Sequence, residues 1–154
     1  MTVDVFGLMK EALEEAKKGL AKGEVPVGAV VAGPDGEIMG RSHNLPICLN
    51  DPTAHAEILA LRQAGAYSRN YRLPNTTLVV TVEPCPMCMG AALHARIARL
   101  VFGAPDPKSG AAGSLFDLAR DKRLNHRIEV IGGIMEEECA GLLRHFFRLR
   151  RQGH

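Results

Sequence analysis

Four side chains in two short stretches could do chemistry together. His55 and Glu57 stand two apart in Thr53-Ala54-His55-Ala56-Glu57, and Cys85 and Cys88 stand three apart in Glu83-Pro84-Cys85-Pro86-Met87-Cys88. Zinc favours nitrogen and sulfur ligands, and a catalytic zinc takes three protein ligands plus a water. His55, Cys85 and Cys88 supply those three ligands, and Glu57 is left over. Zinc lowers the pKa of its bound water from about 15.7 to about 7. A spare carboxylate beside that water suits hydrolytic removal of an amine. Glu57 would take the water proton, pass it to a ring nitrogen and then protonate the leaving ammonia. Two plainer readings fit less well. A structural zinc site uses four protein ligands and has no work for Glu57. A redox Cys-x-x-Cys pair would leave His55 and Glu57 idle.

These side chains need elements that aim them at one point. Pro52 can occupy the first turn of a helix capped by Asp51 or Thr53, running to about Gly65. Cys85 followed by Pro86 reads as a cap and a first helical residue. N–H groups at a helix start favour anions, and so favour thiolates. Cys85 and Cys88 can face one metal from a single turn. His55 and Glu57 would diverge in mid-helix, but both can reach a centre approached end-on.

The rest of the chain supplies a sheet. Phe6, Met9, Leu13, Ala16 and Leu20 recur at helical steps, with Asp4 as cap and Gly23 just past the end. Val25 to Ala32 is a Val-rich run and reads as a buried strand. Gly33 to Gly36 is a turn, and Glu37 to His43 is the returning strand of a hairpin. Asn44 to Pro52 reads as a connecting loop. Asn75 to Val82 is a strand that delivers the chain to Cys85, followed by strands at Arg99 to Phe102 and Arg127 to Ile131, and a final helix from Met135 to Arg151. Strand, helix, strand, helix implies a crossover unit whose helices start at the same sheet edge, where ligand sites commonly lie. That would join His55 to Cys85 across thirty positions.

Length and composition bound the answer. A chain of 154 residues, 46% hydrophobic, is expected to form one domain with a proper core, spanning 1–154. It has no apolar run long enough to span a bilayer and no charged-then-apolar leader, so the expectation is a soluble cytoplasmic protein without a membrane partner. Of four cysteines, Cys48 and Cys139 are isolated, and small buried core positions are expected for both. A net charge of +2 does not by itself mark a nucleic-acid binder. Gly103 to Ser109 resembles half a phosphate loop, but Pro107 stands where the glycine before the lysine is needed and offers no N–H to a phosphate. Nucleoside triphosphate binding is therefore rejected there. The segment reads as a substrate lip or a connection. The final helix starts with Glu136, Glu137 and Glu138 and ends with Arg144, His145, Arg148, Arg150 and Arg151. Acid first and base last complements the helix dipole. The same arginines could form a strip for phosphates, with Phe146 and Phe147 packed beneath it or against a base.

In order, the central residues spell H-x-E … P-C-x-x-C, the pattern of zinc deaminases that act on nucleobases. The likeness covers nearly the whole chain. It runs through Val25-Pro-Val-Gly-Ala-Val30, Asp51 to Glu57, Asn70-Tyr-Arg-Leu73, Glu83 to Cys88 and Val101-Phe-Gly-Ala104. It continues through Lys108 to Ser114, Asn125-His-Arg127 and Phe146 to Arg151. On these stretches the chain resembles the bacterial tRNA-specific adenosine deaminases of the cytidine deaminase superfamily. The stretch Lys108 to Ser114 and the closing Phe-Phe-x-x-Arg-Arg are the parts most specific to the tRNA branch. The resemblance implies an α/β fold of three α/β/α layers around a central five-stranded mixed sheet. It implies a homodimer with one Zn2+ per subunit, acting on a tRNA anticodon stem-loop. It implies conversion of the wobble adenosine to inosine, usually in an arginine tRNA with an ACG anticodon. By the same resemblance, Asn44 and the Ala56 main chain should face the flipped nucleoside. Asp106 should contact the anticodon loop near the target. Phe147 and Arg150 should hold flanking nucleotides, with Ala104 and Lys108 on the same lip. An unpaired anticodon loop suits such a site, because its bases can be splayed out and read by edge and stacking. The rivals are a deaminase of a free base or nucleoside (guanine, cytosine or cytidine) and a non-catalytic zinc-stabilised RNA-binding module, for which Glu57 would have no use.

Overall fold

A computed structural model describes residues 3–153. The elements run α1 (Val5–Ala21), β1 (Gly28–Ala32), β2 (Ile38–His43), α2 (Pro46–Leu49), α3 (Ala56–Ser68), β3 (Thr77–Val82), α4 (Pro86–Ala95), β4 (Arg99–Ala104), β5 (Glu129–Ile131) and α5 (Glu136–Gln152). The strands form one five-stranded sheet in the order β2-β1-β3-β4-β5. β1 pairs antiparallel with β2 and β3, while β3, β4 and β5 are parallel. The sheet is mixed, as expected.

Alternation along the strands divides the core into two layers. Ala29, Val31, Leu78, Val80, Leu100 and Phe102 pack against Ala60 and Leu61 of α3 and Met89 and Leu93 of α4. Val30, Val79 and Val101 face the other way, onto Leu8, Met9 and Leu13 of α1 and Cys139 of α5. The result is the three-layer α/β/α arrangement. Two glycines set how closely helices approach the sheet. A Cβ at Gly28 would lie 1.9 Å from the Ala12 carbonyl oxygen, and one at Gly40 would lie 2.3 Å from that of Ala60. α1 and α3 therefore rest directly on strand backbone.

Most element positions follow the sequence reading, and the departures have local causes. Asp4 caps α1, its Oδ1 accepting the Gly7 N–H at 3.0 Å. The first strand begins at Gly28 rather than Val25, after a tight turn in which the Val27 N–H donates to the Val25 carbonyl. α3 begins at Ala56 with His55 as its cap, not at Pro52. Asp51 is spent instead on a turn of its own, its Oδ1 accepting both the N–H and the hydroxyl of Thr53 at 2.8 Å. The segment expected as a plain loop contains α2. Pro46 opens it, and the buried Glu24 carboxylate accepts the Ile47 and Cys48 N–H groups at 3.2 and 2.7 Å. Cys139 is buried as expected. Cys48 is not: it is exposed on α2, which presents no buried residue. Among the described residues no helix is long and apolar enough to cross a membrane.

Candidate active site

β2 and β3 both run antiparallel to β1 and so point the same way, and α3 and α4 start beyond their ends. His55 and Cys85 are the two N-cap residues, each with extended backbone. Glu57 lies in the first turn of α3 and Cys88 in the first turn of α4. Neither cap side chain bonds its own helix, so both are free to turn toward the metal position. His55 Nδ1 lies 3.7 Å from Cys85 Sγ and 3.4 Å from Cys88 Sγ, and the three donor atoms lie within 4.8 Å of one another. Tetrahedral zinc with ordinary Zn–N and Zn–S lengths sets its N···S separations at about 3.6 Å. The donor set fits zinc through Nδ1 of the histidine.

The close approach of these donors shifts their protonation. The Cys88 thiol, then His55, bring the Cys85 thiol down to about 4 against the effect of burial. The same Cys85 contact, together with burial, drives the Cys88 thiol the other way. Contact with Cys85 also raises His55. Glu57 is buried, and burial pushes its carboxyl up to about 7. A carboxyl placed near neutrality can both take and give a proton. These shifts come from the close approach of His55, Cys85 and Cys88, the same approach that a metal-ligand set requires.

These groups open into a cavity of about 420 Å³. Asn44, His55, Glu57 and Cys85 line its floor, Asp106, Lys108 and Ser109 one wall, and Phe147 another. Asn44 Oδ1 accepts the Ala56 N–H at 2.8 Å, which fixes its amide orientation, since a backbone N–H needs an oxygen. The Asn44 amide NH2 is thereby left as a donor to a ligand. The Ala56 N–H, part of the main chain expected to face the base, is thus bonded to Asn44. Phe147 is 48% exposed, whereas its neighbour Phe146 is buried and meets it edge-on at 5.3 Å. Asp106 shapes its own turn: its carboxylate accepts the Lys108 and Ser109 N–H groups and the Ser109 hydroxyl.

Two expected contacts lie elsewhere. Ala104 is buried as the last residue of β4, and its carbonyl accepts the Glu83 N–H, so it supports the lip rather than forming its surface. The Arg150 guanidinium sits 5.4 Å from the Phe146 ring centre, outside the cavity.

The comparisons with known proteins agree with this geometry. Residues 5–104 match the cytidine and deoxycytidylate deaminase zinc-binding region. The tRNA-specific adenosine deaminase of Haemophilus influenzae is 53% identical over 145 residues, covering 94% of this chain and 84% of that protein. The chain belongs to the tRNA-specific adenosine deaminases. It is therefore a zinc-dependent deaminase of the cytidine deaminase superfamily. The Bacillus subtilis tRNA-specific adenosine deaminase is 49% identical, covering 94% and 89% of the two chains. A solved structure from studies of A-to-I editing by tRNA:A34 deaminases superposes with a TM-score of 0.85 at 43% identity, covering 89% of this chain and 99% of that one. The guanine deaminase from Nitrosomonas europaea shares the fold at a TM-score of 0.77 and 25% identity, covering 95% and 86%.

The cavity of this deaminase also holds residues that sequence reading passed over. Val27, Val82 and Leu143 give it apolar surface, and Glu83 and Ser109 border it. Glu83 carried a signal, since a carboxylate directly after an apolar strand and two residues before Cys85 calls for a partner.

Proposed function

We propose that this deaminase converts the wobble adenosine, position 34, of an arginine tRNA with an ACG anticodon to inosine, with release of ammonia. The observation that carries the reading is the convergence of His55, Cys85 and Cys88 beside Glu57 in an open cavity rimmed by an exposed aromatic and a lysine. The names of the relatives supply the substrate class. His55 Nδ1 and the Cys85 and Cys88 sulfurs would hold one zinc ion per subunit, which when bound would supply an activated water. Glu57 moves the protons. It accepts the water proton and delivers it to the adenine ring nitrogen next to the attacked carbon, then takes the remaining proton from the hydroxyl on that carbon and passes it to the departing amino group as the carbon–nitrogen bond breaks. The Asn44 amide donates to the flipped nucleoside. Phe147 offers a face on which a flanking base stacks, and Lys108 offers charge to a phosphate. Asp106 holds the turn that presents Lys108. The protein works as a cytoplasmic homodimer, and Arg150 meets RNA that runs beyond the cavity.

The test is a panel of zinc-loaded reactions on the ACG stem-loop, free adenosine, cytidine, cytosine and guanine. Inosine at the wobble position, with the free compounds untouched, supports the reading. Ammonia from free guanine alone would instead align the chain with its guanine-deaminating structural neighbour.

A further inference from the structure

The chemistry above leaves a second buried carboxylate without a role. Glu83 follows β3, two residues before Cys85, is 3% exposed and borders the cavity. Its main chain continues the sheet, the N–H donating to the Ala104 carbonyl at 2.9 Å. Its side chain enters the lip. Oε1 accepts the Asp106 N–H at 3.0 Å and the Ser114 hydroxyl. Oε2 accepts the Ala112 N–H at 2.9 Å and the Ser114 N–H at 3.0 Å. Three of these four donors are main-chain N–H groups drawn from both ends of segment 106–114. They form an anion cradle that the chain fills with its own carboxylate. The backbone is shaped to admit it. A Cβ at Gly110 would lie 2.4 Å from Glu83 Cδ and 2.5 Å from the Asp106 carbonyl oxygen, so glycine is needed for the segment to close over the carboxylate. The Ala111 N–H adds a tie to the Pro84 carbonyl at 2.8 Å.

The cradle fixes the wall that carries Asp106, Lys108 and Ser109. Those residues make a preformed turn on the Asp106 side chain, and the turn is docked by the Asp106 N–H on Glu83. We propose that Glu83 is a positioning residue for the deamination, anchoring the substrate-gripping lip to the same strand end that delivers the metal ligand Cys85. The proposal rests on reading the site as a nucleic-acid deaminase. It assigns Glu83 no contact with the reacting atoms.

Glu83→Gln tests it, because three backbone donors and a hydroxyl would then face an amide that can accept at only one atom. Zinc content, amide hydrogen exchange residue by residue, and kcat and KM on the ACG stem-loop are read. Zinc is expected to stay at one per chain. Exchange at Asp106, Ala112 and Ser114 should quicken by about tenfold or more, and KM should rise by a similar factor while kcat falls less than about threefold. Ser114→Ala removes only the hydroxyl donor and should shift KM the same way by a smaller factor, which keeps the test open should Glu83→Gln fail to fold. Lip amides that exchange as in the wild type, with KM unchanged, would overturn the proposal. So would a loss confined to zinc content and kcat, which would make Glu83 a support of the metal site alone. The exchange measurement needs no substrate. A wild-type protein inactive on RNA would refute the substrate reading, and the lip amides would still decide the role of Glu83.

Discussion

The floor and the lip of the cavity are built in opposite ways. On the floor, His55, Glu57, Cys85 and Cys88 all sit at the first turns of two long helices, which rest on a buried sheet. Their positions are set by cap geometry and packing. The lip, from Pro105 to Ser114, contains no helix or strand longer than one isolated bridge and is largely exposed toward its tip. Its shape comes from side chains that act as anchors: Asp106 within the turn and Glu83 beneath it. Reacting groups must be held within a fraction of an ångström, which regular elements do well. A surface that grips a substrate can vary with its loop, provided something fixes the loop to the scaffold.

This contrast can be broken from either side, with effects of different kind and size. On the floor, Cys88→Ala removes a ligand that no neighbour can replace. Zinc measured by mass spectrometry should fall well below one per chain, and deamination should drop by about a thousandfold or more. Retained zinc and activity would remove Cys88 from the ligand set.

Proton competition at the floor gives a smaller, graded effect. Contact with Cys85 and burial hold the proton on the Cys88 thiol, whereas contact with Cys88 and His55 brings the Cys85 thiol down to about 4. Zinc must displace the Cys88 proton and, below the raised titration of His55, a second one, so zinc affinity should weaken about tenfold per pH unit above that titration and up to about a hundredfold per unit below it. Competition with a chromogenic chelator across pH measures it, and a flat profile would contradict the proton assignment.

At the rim, Phe147→Ala should raise KM for the stem-loop roughly tenfold, with zinc and kcat nearly unchanged, because base stacking on an aromatic contributes about 1–3 kcal/mol. The buried neighbour sharpens the point. Phe146→Ala should lower stability by about 3–5 kcal/mol in a denaturant titration, where Phe147→Ala scarcely moves it. The smallest effect is expected at Lys108→Ala. Stem-loop binding should weaken a few-fold, and the slope of log affinity against log salt should fall by about 0.7, the value of one lost phosphate contact on a single strand.

The floor was legible in the sequence, and the reason is local. Pro86 after Cys85 marks a helix start, and Val-rich runs of alternating face mark strands that must lie side by side. The lip was legible only as an irregular stretch. What shapes it is a set of bonds between Glu83 and donors 23 to 31 residues away, and no local pattern reports them. The same is true of Glu24, which creates α2 from across the fold and exposes Cys48 on it. The start of α3 was misplaced for the converse reason. Asp51, Pro52 and Thr53 are good helix-start residues, but the Asp51 side chain closes a turn on Thr53 first. At the last helix, Phe146 and Phe147 could not be told apart by type, and only the packing shows which is buried.

The most direct measurement is a time course of inosine at the wobble position of the ACG stem-loop for the wild type and Glu57→Gln, both with zinc confirmed at one per chain. The wild type should convert the stem-loop. Glu57→Gln should bind it with the same Kd and form inosine at least about a hundredfold more slowly, the usual loss when a positioned acid–base group is removed. Turnover by Glu57→Gln at the wild-type rate would contradict the account, since the buried carboxylate in the first turn of α3 would then move no proton that matters.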